Sequence, residues 1–330
     1  MTKKLNIAVI AGGDSGEYKI SLKSGYNVCN NLDRARFNPF FIHIKGSSWT
    51  LFHNGKKYPV DKNNFSCAIN RKKITFDCVF VAIHGTPGED GKLQGYFDIL
   101  KIPYTTSGVN TLSVTFNKNI CKNIVTQYGI PAPKSILVKK GDVISAGEII
   151  KITGLPCFVK PNNGGSSCGA SKVKKVKKLV PAMRKGFKED TEVLVEEFIR
   201  GTELTCGVFM RKGSASALPV TEIVTKNEFF DYEAKYKEGK ADEITPARIS
   251  KKVTKKCRDL TVKIFNILNC RGIARADFIY RNGKLYFLEI NTVPGLTEVS
   301  IIPKQAKAEG IEPKEFFTGI IEEAMRGGRR

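Results

Sequence analysis

Apolar and polar positions come in alternating blocks over the first third of the chain. A dense apolar run from Leu5 to Ile10 gives way to Gly12-Gly13-Asp14, and Pro39 to Ile44 and Cys78 to Ile83 repeat the short apolar pattern. Runs of this length bounded by turn residues read as core strands. Between them, the stretches near Ile20 to Leu32 and Gly95 to Leu100 read as helices. Strand and helix in alternation predict a mostly parallel sheet wrapped by helices. The turn after the first strand, Ala11 to Glu17, carries glycines that permit a tight strand-to-helix reversal and close approach of backbone to a ligand. It lacks the full dinucleotide fingerprint, so a plain turn with a helix cap explains it equally well.

Further along, a helical segment between Leu112 and Pro133 ends at Gly129-Ile130-Pro131-Ala132-Pro133, where two prolines break the helix. A second unit therefore opens near residue 115. It holds the short apolar strand Cys157 to Pro161, a loop from Asn162 to Gly169, a lysine-rich helix and the strand Val193 to Phe198. A third unit begins near Thr205, with further strands, a polar loop over Asn227 to Thr245, the helix Val253 to Leu268 and a terminal hairpin. The division is 1–115, 116–204 and 205–330, without internal repeats or low-complexity tracts.

Composition narrows the class. At 330 residues and 41% hydrophobic, the chain can bury several cores. The run Leu5 to Ile10 is too short for a secretory signal, and no apolar stretch approaches the roughly 18 residues that span a bilayer. These features predict a soluble cytoplasmic protein. Nine cysteines are scattered without a Cys-x-x-Cys pair, which fits reduced thiols better than disulfides or a zinc cluster. The net charge of +22 raises nucleic acid as a partner. Its distribution argues otherwise: lysines fall in short groups such as Lys174 to Lys178 and Lys251 to Lys256, spaced like solvated faces of amphipathic helices, without interleaved aromatics.

The terminal hairpin brings chemistry. Arg275-Ala276-Asp277 leads through the turn Arg281-Asn282-Gly283-Lys284 into Leu285 to Gly295, which contains Glu289 and Asn291. Period-two alternation puts Glu289 and Asn291 on one face. Asp277, Glu289 and Asn291 offer the oxygen ligands that Mg²⁺ prefers, and Mg²⁺ so sparsely held completes its shell with water and substrate phosphates. A nucleotide is the implied co-ligand.

Other segments fit that picture without proving it singly. Gly164 to Gly169 is rich in glycine and hydroxyl donors and follows Lys160, a combination suited to cradling phosphates, although a solvent-exposed loop has the same composition. Lys118 and Lys160 could meet phosphates as point charges. The run Val193 to Glu203 places backbone and carboxylates where an adenine edge and ribose hydroxyls could bind, with an amphipathic edge strand as the plainer explanation. His84 follows the strand Cys78 to Ile83 into a glycine-rich loop, the position at which α/β sheets collect ligands, or where a histidine caps a turn.

In order along the chain, Ala11 to Glu17, His84 to Gly95, Pro103 to Gly108, Lys118, Val159 to Pro161, Gly165 to Ser167, Asp231 to Tyr236, Arg275 to Asp277 and Glu289 to Gly295 together resemble the ATP-grasp superfamily and, more closely, its D-alanine:D-alanine ligase family. The motifs span nearly the whole chain. The resemblance implies an α/β chain in which an ATP-grasp fold follows a Rossmann-like parallel α/β N-terminal domain, with ATP between the central and C-terminal parts. Lys118, Lys160, Glu196, Glu203 and Lys235 would contact ATP, with Phe198 and Ile199 near the adenine. Asp277, Glu289 and Asn291 would hold Mg²⁺, two ions per site, with Mn²⁺ as an alternative. Glu17, His84, Ser166, Tyr236, Arg275, Gly295, Ser300 and Ile301 would line the amino-acid subsites.

The implied reaction makes D-alanyl-D-alanine for peptidoglycan precursors through a D-alanyl phosphate. The first D-alanine carboxylate takes the γ-phosphate, and the second D-alanine attacks as a free amine. Arg275 and the Gly295 N–H would stabilise the oxyanion, Glu17 the first ammonium, and a Ser166 and Tyr236 network would close the site. Loop 227–245 would act as a lid that keeps water from the acylphosphate. Tyr236 favours an amine acceptor over D-lactate, and Gly16 and Thr86-Pro87 depart from the common pattern. The resemblance also implies a homodimer. The alternatives are a sister D-alanine:D-serine or D-alanine:D-lactate ligase and, from another class, a basic nucleic-acid-binding protein on an inactive scaffold.

Overall fold

The computed structural model describes residues 3–165, 167–225 and 241–327. Three sheets organise the chain. In the first, the apolar strand β1 (Leu5–Gly12) lies between β2 (Phe37–Lys45) and β7 (Cys78–Val81), parallel to both, with helix α1 (Tyr18–Asn31) making the first crossover. Four further strands, β3 (Ser48–His53), β4 (Lys56–Asp61), β5 (Ser66–Ile69) and β6 (Lys72–Ile74), extend it as an antiparallel meander in the order β6-β5-β4-β3-β2-β1-β7. The expectation of a mostly parallel sheet thus holds for β2, β1 and β7 and not for this meander. Left-handed residues at Asn54-Gly55 and Asn70-Arg71 make its tight turns. Helix α2 (Lys92–Ile99) follows the loop after β7.

The helical segment read over 112–133 is two helices, α3 (Val109–Phe116) and α4 (Lys118–Gln127). Asn117 separates them: its backbone is extended, and its side chain accepts from the Ile120 N–H as the N-cap of α4. The second sheet, β10-β9-β11-β8, contains β8 (Ser135–Lys139), β9 (Cys157–Pro161), β10 (Ser171–Val173) and β11 (Glu192–Glu197). It is covered by α5 (Ala146–Thr153) and α6 (Leu179–Gly186). The lysines at 174–178 precede α6 in a loop and a short 3₁₀ turn and do not form a helix face.

The third sheet, β14-β13-β12-β15-β16, is antiparallel throughout. It comprises β12 (Thr202–Arg211), β13 (Ser214–Thr225), β14 (Ala241–Ile244), β15 (Ile273–Arg281) and β16 (Lys284–Asn291). Helix α7 (Lys251–Ile267) turns Cys257, Thr261, Ile264 and Phe265 inward and leaves most of its lysines in water. Helices α8 (Ile301–Ala308) and α9 (Pro313–Gly327) close the chain. Of the loop expected over 227–245, residues 241–244 are strand β14; 227–240 lie outside the described residues.

The cores do not follow the sheets one to one. Phe316, Phe317, Ile320 and Ile321 of α9 pack into one cluster with Ile7, Val9 and Phe80 of the first sheet and Phe209 and Leu218 of the third. Cys121 and Val125 of α4 belong to the core beneath β12, β15 and β16. The second sheet keeps a core of its own, including Val138, Val159 and Val195. Eight of the nine cysteines are buried and Cys168 is partly exposed, and none of the nine is joined in a disulfide.

Candidate active site

The three sheets converge on one cleft of about 580 Å³. The first sheet contributes the turn after β1. Gly12 and Gly13 both adopt left-handed φ there, and a Cβ on Gly12 would stand 2.3 Å from the Ile44 carbonyl oxygen, so only glycine lets the chain turn so tightly. The turn delivers Glu17 to the cleft. Its carboxylate rests against Gly165, where a Cβ would lie 2.7 Å from Oε2.

The second sheet and α4 supply the cations. Lys118 is the first residue of α4, and its Nζ donates to the Gly164 carbonyl and lies 3.9 Å from Glu289 Oε2. Lys160, next to the last residue of β9, meets Glu196 Oε2 at 2.8 Å, while Lys122 reaches Glu196 Oε1 at 2.7 Å. Glu196 is thus buried between two ammonium groups. Burial alone would push its carboxyl up, but Lys160 and Lys122 outweigh it and hold the group below the usual range. Burial lowers Lys118 and Lys122, whereas Glu196 and Glu289 outweigh burial at Lys160 and raise it. Phe198, Ile199 and Glu203 line the same cleft, with Ile223, Ile279 and Leu288 as apolar neighbours. The Lys172 ammonium sits 3.7 Å from the Phe198 ring centroid.

The third sheet supplies the acids. Strands β15 and β16 pair Asp277 directly with Glu289 and Arg275 with Asn291. The Arg275 guanidinium grips Asp277 with two hydrogen bonds of 2.9 Å, Thr205 donates a third, and the Asn291 amide nitrogen donates a fourth at 3.1 Å. The residue types fit a hard cation: the carboxylates of Asp277 and Glu289 stand on paired positions of the two strands, and the nitrogen of Asn291 is committed to Asp277, which leaves its carbonyl oxygen as a ligand. Among the described residues no cluster of three or more His, Cys, Asp or Glu side chains offers a metal an alternative.

Not every residue singled out in the sequence faces the cleft. His84 is buried behind it, with Nδ1 2.7 Å from the Val293 carbonyl and Nε2 2.9 Å from Ser24 Oγ. Burial lowers its pKa and favours the neutral ring, so Nδ1–H donates to the carbonyl and Nε2 accepts from the serine hydroxyl. Ser300 precedes α8 and binds Thr297 through its hydroxyl, beside Gly295; Ile301 lines the cleft. Ser166, Lys235 and Tyr236 lie outside the described residues.

Two charged residues received no role from the sequence, although Glu89 lies within the motif His84 to Gly95. Lys122 stands four residues after Lys118 on α4, a spacing that could have drawn attention to it. Glu89 is partly buried; its Oε1 accepts from the Thr292 and Val293 N–H groups and its Oε2 from Gly85 N–H. Burial, with Glu17 nearby, pushes its carboxyl up to about 7.

Comparison with known proteins agrees with this geometry. The D-ala D-ala ligase N-terminus model matches residues 6–107 and the D-ala D-ala ligase C-terminus model residues 124–322. The chain belongs to the D-alanine–D-alanine ligase family. Members similar to it include the D-alanine–D-alanine ligase of Flavobacterium johnsoniae, 49% identical with 96% of this chain and 98% of that protein covered. That of Bacteroides fragilis is 45% identical with 97% and 99% covered. Among solved structures, the VanG D-Ala:D-Ser ligase from Enterococcus faecalis superposes with a TM-score of 0.87 at 31% identity, covering 98% of this chain and all of that one. The D-alanine–D-alanine ligase of Bacillus anthracis complexed with ATP gives 0.80 at 29% identity, covering 98% and 99%. The ligase family therefore accounts for the whole described architecture. Among the described residues no helix is long and apolar enough to cross a membrane.

Proposed function

We propose that this chain condenses two D-alanines to D-alanyl-D-alanine with consumption of ATP, as a step toward peptidoglycan precursors. The observation that carries the reading is the facing pair Asp277 and Glu289 with Lys118 and Lys160 at one cleft that also holds Glu17 and Arg275. Phe198, Ile199 and Glu203 fit the base and ribose end of ATP, and Lys118 and Lys160 its phosphates. Asp277, Glu289 and Asn291 would hold Mg²⁺ or Mn²⁺, two ions per site, which when bound supplies charge neutralisation at the phosphates.

Glu17, against the Gly/Ser loop, would hold the first D-alanine by its ammonium while its carboxylate takes the γ-phosphate. Arg275 and the Gly295 N–H would then receive the charge that develops as the second amine attacks. Ser166 and Tyr236 would close the site with Lys235 at the nucleotide, and His84, Ser300 and Ile301 would shape the acceptor end. On the scale of the chain, the reading includes the divisions 1–115, 116–204 and 205–330, a lid within 227–245, a homodimer and a cytoplasmic location. Incubation with ATP, Mg²⁺ and D-alanine tests the central step. It should yield ADP, phosphate and dipeptide in equal amounts, and ADP release without dipeptide would refute it.

A second reading, ligation of D-serine to D-alanine, is favoured by the structural match to the D-Ala:D-Ser ligase. The identities of 45–49% over nearly full length to D-alanine–D-alanine ligases favour the first. An acceptor panel separates them, since the second requires dipeptide only with D-serine present.

A further inference from the structure

The backbone from Thr292 to Leu296 directly follows the third sheet's terminal hairpin, yet side chains of α1 and of the loop after β7 hold it. Glu89 Oε1 accepts from the N–H groups of Thr292 at 3.1 Å and Val293 at 3.3 Å. His84 Nδ1 meets the Val293 carbonyl at 2.7 Å. Ser24 Oγ accepts from Leu296 N–H at 3.1 Å, and Asn27 Nδ2 donates to the Leu296 carbonyl at 2.8 Å. Pro294 has no N–H. Among the described residues the Gly295 N–H is then the one donor of this segment that makes no hydrogen bond. A backbone donor left over in a segment otherwise satisfied, and partly exposed, is an arrangement suited to a ligand.

We propose that Glu89 is a positioning residue: it clamps Thr292 and Val293 to the Gly85 turn and thereby fixes the direction in which Gly295 N–H points at the acyl centre. The clamp works through geometry. Both carboxylate oxygens are committed, one to the third sheet's segment and the other to Gly85 N–H at 3.1 Å. Glu89 therefore links the Gly85 turn, which lines the cleft, directly to the segment that follows β16. Ser24 and Asn27 from α1 fix the far end at Leu296, so the segment is held on both sides of Gly295. An amide at position 89 must turn its NH₂ toward one set of N–H donors and lose that side of the clamp. A misplacement of such a donor by about 1 Å is enough to cost some 100-fold in rate.

This inference rests on the proposed ligation, so the test needs one readout that does not. In the full-length protein, Glu89→Gln should accelerate hydrogen exchange at the Thr292 and Val293 amides relative to wild type, without substrate. In steady-state assays it should leave the KM for ATP within about twofold, raise the KM for the acceptor D-alanine, lower kcat by about tenfold or more, and raise ADP released above dipeptide formed. Wild-type exchange at 292–293 together with wild-type kcat and acceptor KM would overturn the proposal. So would equal loss of ATP and acceptor binding, which would make Glu89 a folding residue. If Glu89→Gln does not fold, Ser24→Ala decides: it releases Leu296 N–H and should shift the acceptor KM while sparing that for ATP, and unchanged acceptor kinetics would refute the clamp. Wild-type protein that forms no dipeptide refutes the ligase reading alone, since the exchange result still stands or falls on its own.

Discussion

Glu289 is the carboxylate of the hairpin that faces both Asp277 across the strands and the Lys118 ammonium at 3.9 Å. Glu289→Gln removes a charge without changing shape, so the fold should persist while ADP release falls by about 100-fold or more, and wild-type ADP release would remove Glu289 from the phosphoryl site. Glu89 makes a different demand. Its folded carboxyl, raised by burial to about 7 from an ordinary 4.5, binds a proton more tightly than in the unfolded chain. Its contribution is neutral below the unfolded value and becomes a cost as pH rises from there through about 7, reaching about 3 kcal/mol. The stability of Glu89→Gln relative to wild type should therefore rise between about pH 5 and pH 8, read by urea unfolding at each pH, and parallel profiles would contradict it. The sequence made Asp277, Glu289 and Asn291 readable because strand alternation is a local rule. The roles of Glu89 and Lys122 were not readable. Their meaning depends on groups 203 and 74 residues away in the chain, which only the folded register brings together.

At the scale of elements, α4 exists where it does because Asn117 breaks α3 and caps the next helix. That cap sets Lys118 at the first turn and Lys122 one turn on, beside Glu196. Asn117→Ala should cost about 1 kcal/mol of stability and raise the KM for ATP severalfold, measured by urea unfolding and ATP titration of the ligase assay. An unchanged KM would separate the cap from the nucleotide site. The core strands β1, β2 and β7 announced themselves through dense apolar runs. The β3–β6 meander did not, because β3 and β4 each bury one residue, Leu51 and Val60, and carry polar side chains on most other positions. Strands that bury so little apolar surface leave a weak period-two signal. Likewise β14 was absorbed into the expected lid, since its short polar sequence gains strand structure only by pairing with β13.

Across the whole molecule, the first and third sheets share one core through α9, and the second sheet has a separate one. Phe317 stands edge-on to Phe80 at 5.9 Å between centroids and is almost fully buried. Phe317→Ala should cost about 3–5 kcal/mol, seen as a lowered urea midpoint, and a loss under about 1 kcal/mol would deny that α9 joins the two sheets. That joint explains how side chains of α1 and of the loop after β7 can govern the backbone that follows the terminal hairpin, a relation invisible to any reading of motifs one by one. The central claim is that these parts form one ligase site, and the most direct measurement is a stoichiometric assay of the purified chain with ATP, Mg²⁺ and D-alanine, following ADP and dipeptide together. One D-alanyl-D-alanine per ADP is the expected result. ADP release without dipeptide, or dipeptide formed only when D-serine or D-lactate is supplied, would contradict the account.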